Sequence, residues 1–474
     1  MKRREAACMI PLSLAGIAGI VTEALGQPPM ERRGPGMGPG MRQGMNPPGM
    51  PQGPGVGLYA QYSRKVKDKL AWIRKTQSEN LLEASYATAR TIKNGGQCWS
   101  VWDTGHSTQN DQFPGRNGEP EIFFNDFNAQ KVKKSDLLLA NRYLGPYEVL
   151  TEKEIFVIGG PAPWGGDARG YDLLTPEVQK SKLRPYAKIW IETNITTTDG
   201  EVYMPGEPAP IGPFSGILGM VEYWMILADT CRILSADGYK GKVKGDEPPL
   251  TEKARWVKQG EPLMENYFDT VTQQIEMIGA EMGDIKKIAG AAVEAVLSGG
   301  TVYYYSRYYV GLATEALGRR SGLMLNKTIY DNPKQTAKLT PKDVVIMGLC
   351  KPDDEVDLKH LDQFKAAGAK VYSMGPASRG GRVPEGKAVP KSTILHVGRC
   401  CDAYGLYAIQ GFDQKVCPTS GPVMNQVFWA LQMEVAEEII RRTGNTPGVY
   451  FSGALKDGNE HNSLGRQRVE ARGY

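Results

Sequence analysis

Histidine is scarce in this chain. There are four in 474 residues, His106, His360, His396 and His461, too scattered for a histidine-built metal centre. Among the seven cysteines no two form a Cys-x-x-Cys pair, so no structural zinc, and no metal, is expected. A Gly-x-Ser-x-Gly elbow and a Gly-Lys-Ser/Thr loop are both missing, which removes the serine-hydrolase and P-loop readings and leaves no expected cofactor. Charge of one sign is missing too. With 57 basic and 52 acidic residues the net charge is +5, and part of it sits in the first 42 residues, so nothing marks a nucleic-acid-binding face. The apolar run Met9–Val21 is too short to span a bilayer comfortably.

What is present starts with a leader. Lys2, Arg3 and Arg4 precede that apolar run, and Ala24-Leu25-Gly26 offers small residues to a signal peptidase, so residues 1–26 read as a signal peptide cleaved before Gln27. The Arg3-Arg4 pair points to the twin-arginine route. Glu5-Ala6-Ala7-Cys8 departs from its usual continuation, which keeps a plain secretory signal or an uncleaved anchor as alternatives. An exported protein, periplasmic or extracellular and free of the membrane after cleavage, is the expectation. Residues 27–57 are almost all Gly, Pro, Met, Gln and Arg, a composition that buries too little apolar surface to order itself and reads as a disordered leader. Export would leave six cysteines where disulfides can form, although Cys98, Cys350 and Cys417 lie in or beside apolar runs and read as buried thiols.

The remaining length exceeds one core, and an internal repeat accounts for it. Pro213-Phe214-Ser215-Gly216 precedes Trp224 as Pro418-Thr419-Ser420-Gly421 precedes Trp429, 205 residues on. Gly95-Gly96 precedes the strand-like 97–102 as Gly299-Gly300 precedes 301–306, 204 residues on. Before each Gly-Gly, apolar residues fall at helical spacing, and the glycines supply the left-handed stop. Further strands are expected at 154–158 and 188–193 in the first copy and at 343–347 and 370–374 in the second, with a helix at 358–367. Long amphipathic helices, 216–234 and 421–442, close the copies. Strands alternating with helices imply parallel βαβ units with ligands at the carboxyl ends of the strands.

The succession helix, Gly-Gly, strand, Gly-His-Ser, then Gly-Pro-x-Ser before a helix resembles the SIS (sugar isomerase) domain of phosphosugar isomerases and sugar-phosphate-sensing regulators. Gly95-Gly96, Trp102-Asp103-Thr104-Gly105-His106-Ser107, Gly212-Pro213-Phe214-Ser215 and Lys456–Asn462 carry the resemblance, the last being similar to the ending of a group of bacterial SIS proteins. It spans roughly residues 60–474 and implies an α/β fold of two flavodoxin-like three-layer αβα sandwiches with parallel sheets. These would be a first SIS-like domain at 58–245, a second at 262–455 and a C-terminal tail at 456–474. It also implies a sugar or phosphosugar ligand, and leaves a homo-oligomer open. Such domains hold the anion with hydroxyls and with amides at helix N-termini, where the helix dipole favours negative charge.

Thr104, Gly105, Ser107, Thr108 and Asn462 are therefore the candidate ligand-binding residues. His106, Glu460 and His461 are the candidate catalytic ones: a carboxylate moves the proton between adjacent carbons in aldose–ketose isomerisation, and Glu460 takes that part by position in what reads as a Gly-rich turn. Against this, Gly159–Trp164 and Gly348–Pro352 lack the family's Ser-x-Ser-Gly hydroxyls, and Ser306-Arg307-Tyr308-Tyr309 lacks Gly-His-Ser. The second copy thus reads as degenerate, and a non-catalytic binding or structural protein is the alternative to an isomerase. Ser215 and Ser420 are expected to cap the helices that follow, Trp224 and Trp429 to pack in cores, and Tyr303–Tyr305 to form a strand with wet edges.

Overall fold

In the computed structural model, residues 57–102, 111–112, 116–141, 148–258, 260–307, 312, 315–316, 320–329, 333–349, 351, 354–377, 395–402 and 404–474 are described. Helix α1 (Leu58–Lys93) buries Tyr62, Val66, Leu70, Ile73, Leu81 and Ala84, one helical stripe, and ends at Gly95 with φ 76°. Then come β1 (Cys98–Val101), β2 (Glu119–Pro120), β3 (Phe123–Phe124), β4 (Leu137–Ala140), α2 (Glu148–Glu152), β5 (Phe156–Gly159) and β6 (Ile189–Trp190). Five of these strands make a parallel sheet in the order β3-β1-β4-β5-β6. The short β7 (Gly200–Val202) and β8 (Ile211–Pro213) lead into α3 (Ser215–Ala236), and β9 (Val243–Lys244) pairs antiparallel with β2.

The second copy repeats the plan: α4 (Leu263–Met277), α5 (Met282–Leu297), β10 (Val302–Ser306), β11 (Asn326–Thr328), β12 (Val344–Gly348), α6 (Glu355–Ala366), β13 (Lys370–Met374), β14 (His396–Val397) and α7 (Ser420–Thr443), with α8 (Gly458–Glu470) after it. Its sheet runs β11-β10-β12-β13-β14, all parallel. Numbered along the chain, both sheets are ordered 2-1-3-4-5, the flavodoxin-like arrangement. The expected α/β architecture of two such sandwiches is what forms.

Side-chain alternation along the strands assigns the faces. Trp99, Val101, Leu138, Ala140 and Val157 form one small outer core, and Tyr305, Val345, Met347 and Val371 form another with Leu361 and Phe364 of α6. The opposite faces, Cys98, Leu137 and Leu139 in one sheet and Val302, Tyr304, Val344 and Ile346 in the other, join a single core with α1, α3, α4, α5 and α7. The copies share that core, and Gly55–Tyr474 is one compact unit.

Equivalent contacts recur across the copies. Tyr62 donates its hydroxyl to the Pro213 carbonyl (2.7 Å) and Tyr267 to the Pro418 carbonyl (3.0 Å). Glu119 pairs with Lys244 and Leu323 with Val449, both antiparallel. The two Pro-x-Ser-Gly segments thus occupy equivalent places, at the starts of α3 and α7.

Several expectations change. The strand equivalent to β12 is β4, hidden in the sequence because its four residues follow the charged stretch 131–136, so β5 matches β13 and β6 matches β14. This aligns Gly160-Pro161-Ala162 with Gly375-Pro376-Ala377, each directly after the fourth strand's carboxyl end. β10 lies inside its sheet, with Tyr304 and Tyr305 buried, and so has no wet edge. Neither Ser215 nor Ser420 is a cap: both stand inside the first turn, after Phe214 and Thr419.

Candidate functional site

The carboxyl ends of the strands are where a doubly wound sheet binds ligands, at the point between chain strands one and three where the order reverses. In the first copy that point lies between β1 and β4. Thr104, Gly105, His106, Ser107 and Thr108 all lie outside the described residues; their flanks are described. On one side Trp102, fully buried, donates its indole N–H to the Gly219 carbonyl of α3 at 3.0 Å. On the other, Gln112 donates to the Trp102 carbonyl (2.8 Å), and Asp111 accepts from Arg116 Nε and from Trp224 Nε1, each at 2.9 Å.

That second flank reaches the other copy. Arg116 donates to Ser420 Oγ at 2.9 Å, and a Cβ built on Gly421 would come within 1.8 Å of an Asp111 oxygen, so a glycine is required there. Burial raises the Asp111 carboxyl, with Arg116 opposing. The repeat equivalents of Asp111 and Arg116 are Glu315 and Arg320. Arg320 stacks its guanidinium 3.9 Å from the Trp164 ring centre, in the loop after β5. At the start of α3, Asp199 accepts from the Ser215 N–H (2.9 Å) and hydroxyl (2.6 Å).

Glu222 is the site residue that sequence reasoning missed in this copy. It lies one turn past Gly219 on α3, fully buried, and neither carboxyl oxygen has a hydrogen-bond partner among the described residues. Burial, with Glu192 beside it, holds its pKa well above the usual carboxylate range and so favours the neutral acid. An acid inside the apolar run Ile217–Leu227 is its sequence signal, sharpened by the repeat, which places the buried Val427 at the equivalent position.

The second copy's switch point, read from sequence as degenerate, is charged. Ser306 ends β10 beside Gly348 of β12, 7% exposed, its hydroxyl without a partner among the described residues. Arg307 follows and pairs with Asp354 (3.2 Å) and Asp357 (3.6 Å). Asp354 caps α6 through the N–H groups of Val356 and Asp357. Asp357 is buried and pushed up to about 6 by desolvation, Arg307 opposing. Lys351, after β12, pairs at 2.7 Å with Asp246, which belongs to the connector between the copies. Two cations, each paired with carboxylates, and a hydroxyl thus stand at the ends of adjacent strands, where an anion would reach a cation only by displacing a carboxylate.

The C-terminal residues are bound to the segment that precedes them, which pairs Leu455 with Leu174 of the loop after β5. Glu460, His461 and Asn462 stand in the first turns of α8, a helix where a Gly-rich turn and tail were expected: Gly458 stands only at its first position, and Gly465 is the one glycine inside it. Asn462 clips Phe451, accepting from its N–H (2.8 Å) and donating to its carbonyl (2.9 Å). His461 Nε2 lies 2.7 Å from the Val449 carbonyl and 3.2 Å from Glu207, which also binds Arg468. Glu460 is exposed. Among the described cysteines, Cys98, Cys231, Cys400 and Cys417 are free thiols, and His396 is buried between Ser373 and the Gly375 carbonyl.

No family model matches the chain, and no curated protein does. Among solved structures, a proposed phosphosugar isomerase of Clostridium difficile 630 is similar at 10% identity, covering 87% of this chain and 99% of that one, with a TM-score of 0.44. A proposed sugar-binding protein of Salmonella typhimurium LT2 is 10% identical over 80% of this chain and 99% of that one, with a TM-score of 0.40. A proposed tagatose-6-phosphate ketose/aldose isomerase of Clostridium novyi NT is 11% identical over 81% and 92%, with a TM-score of 0.42. Likenesses this loose carry no argument about chemistry, and the fold rests on the strand order itself.

Proposed function

We propose that this chain is a carbohydrate-derivative binding protein of the SIS type, taking a sugar or phosphosugar at the carboxyl ends of its strands where the two copies meet. The copies are the SIS-like domains 58–245 and 262–455. The observation that carries the reading is the Ser306 hydroxyl, buried, without a partner among the described residues, and next to Arg307 at the switch point of a 2-1-3-4-5 sheet. A buried hydroxyl left unpaired costs about 1–3 kcal/mol, and a ligand oxygen that satisfies it recovers that cost. The resemblance of Thr104–Thr108 to the family's first loop supports a second such end in copy one.

As an aldose–ketose isomerase the protein would use Glu460 as base with His106 and His461. As a binding protein without chemistry it would keep only the hydroxyl and amide contacts. The commitment of His461 and Asn462 to the backbone of Val449 and Phe451 favours the second version.

A thermal-shift screen of sugars and sugar phosphates, followed by two variants, tests this. An enzyme loses turnover in Glu460→Gln and keeps affinity. A binding protein loses about 1.5–3 kcal/mol of affinity in Ser107→Ala and turns over no ligand in any form. Failure of every sugar derivative to bind refutes the reading. Export is proposed from the leader alone: N-terminal sequencing of material from the native host should begin at Gln27, and an intact Met1 on soluble cytoplasmic protein would refute it.

A further inference from the structure

The connector that joins the copies places its own carboxylate on the cation at the second copy's strand end. β9 ends at Lys244, and Gly245 turns with φ 113°, a left-handed value that suits glycine. A side chain there would meet Asn117, whose Oδ1 accepts the Asp246 N–H at 3.0 Å. The turn aims Asp246 at Lys351: Oδ2 to Nζ is 2.7 Å, the lysine side chain 8% exposed and the aspartate 48%. The carboxylate therefore covers a buried ammonium from the solvent side. Glu247 fastens the next step, accepting the Gly405 N–H at 3.3 Å with Lys415 4.0 Å away.

At the same strand end Ser306 pairs with Gly348, three residues before Lys351, its hydroxyl without a partner among the described residues, and Arg307 and Lys351 both bear on Asp357. A structural ion pair alone does not account for a buried hydroxyl at the same strand end that has no partner among the described residues. Nor does the repeat keep the carboxylate: the equivalent of Asp246 is the apolar Phe451.

We propose that Asp246 is a built-in stand-in for the ligand's anionic group, a connector strap that occupies Lys351 until a phosphate- or carboxylate-bearing ligand displaces it and bonds Lys351 and Ser306. The strap makes anion binding at the second copy competitive with a segment that also holds the copies together. The inference rests on the sugar-derivative reading only for the rest of the ligand.

Isothermal titration of the full chain with inorganic phosphate and with glucose 6-phosphate tests it, using the wild type, Asp246→Asn and Lys351→Met. Removing the competing charge should tighten phosphate binding roughly five- to tenfold in Asp246→Asn, as expected for a close charge pair, and Lys351→Met should abolish it. Circular dichroism checks the fold of each. Should Lys351→Met fail to fold, Ser306→Ala takes its place and should weaken binding to Asp246→Asn protein. Equal or weaker phosphate binding by Asp246→Asn overturns the inference, as does absence of binding by all three proteins. A sugar derivative bound equally by wild type and Lys351→Met also overturns it while leaving the sugar reading intact. Phosphate bound tightly by Asp246→Asn, with no sugar derivative bound by any form, supports the strap and refutes the sugar reading.

Discussion

Trp102 follows the first strand of copy one with its indole tied to Gly219, and one turn past Gly219 on α3 stands the buried Glu222. At the same place in copy two the strand ends in Ser306 and Arg307, and the helix behind carries Val427. Strand order, helix order and the tyrosine-to-proline bonds agree between the copies, so the backbone plan does not decide this difference. The lesson is that one scaffold separated its polar groups: copy one keeps an acid buried in its helix, and copy two keeps cations and a hydroxyl at its strand end. Function lives in the sites, and the fold only positions them.

The largest expected effect breaks the crossing between the copies. Arg116→Ala removes the partner of a buried carboxylate and the donor to Ser420, and should cost about 3–5 kcal/mol in urea unfolding, since an uncompensated buried charge remains. A cost below about 1 kcal/mol would mean that the Asp111 loop does not hold the copies together.

The second sharpens the contrast between Glu222 and Val427. Glu222→Met, close in volume, should stabilise the chain by about 1–3 kcal/mol at neutral pH by removing an unpaired buried polar group. The pH dependence fixes the sign. A folded-state pKa raised above the unfolded one means the folded chain binds more protons, so this contribution is fully present below the ordinary glutamate pKa and is lost as pH rises through the folded value. Glu119 and Glu247, each pushed up to about 7 by burial, act in the same direction. The wild type should therefore lose stability from about pH 5 upward more steeply than Glu222→Met, and parallel curves for the two proteins would contradict the buried acid.

The third concerns the docking of α8. Asn462→Ala should cost about 1–2 kcal/mol through loss of both bonds to Phe451, and should raise hydrogen exchange of the Phe451 amide. The smallest effect tests the equivalence itself: Tyr62→Phe and Tyr267→Phe should each cost about 1 kcal/mol, and costs differing by more than about 1 kcal/mol would break the symmetry.

The repeat was legible because helix stops, Pro-x-Ser-Gly segments and tryptophans punctuate the chain at nearly constant spacing, and strands such as Val344–Gly348 are continuous apolar runs. β4 was not, since four residues set between charged and loop-forming stretches give no period to read. The charged strand end was in the sequence as Ser306-Arg307 and Lys351, but their meeting depends on β10 pairing with β12, a contact between residues some forty apart. Asp246 was less legible still, because nothing local in a Gly-Asp-Glu-Pro-Pro connector says which strand end it will cover.

The account's central claim is a ligand at the strand ends, and a crystal structure of the full chain soaked with glucose 6-phosphate tests it most directly. The account predicts the phosphate on Ser306 Oγ and Lys351 Nζ, with Asp246 turned away from the lysine. Ligand density away from the carboxyl ends of both sheets, with the Lys351–Asp246 pair intact at 2.7 Å, would contradict it.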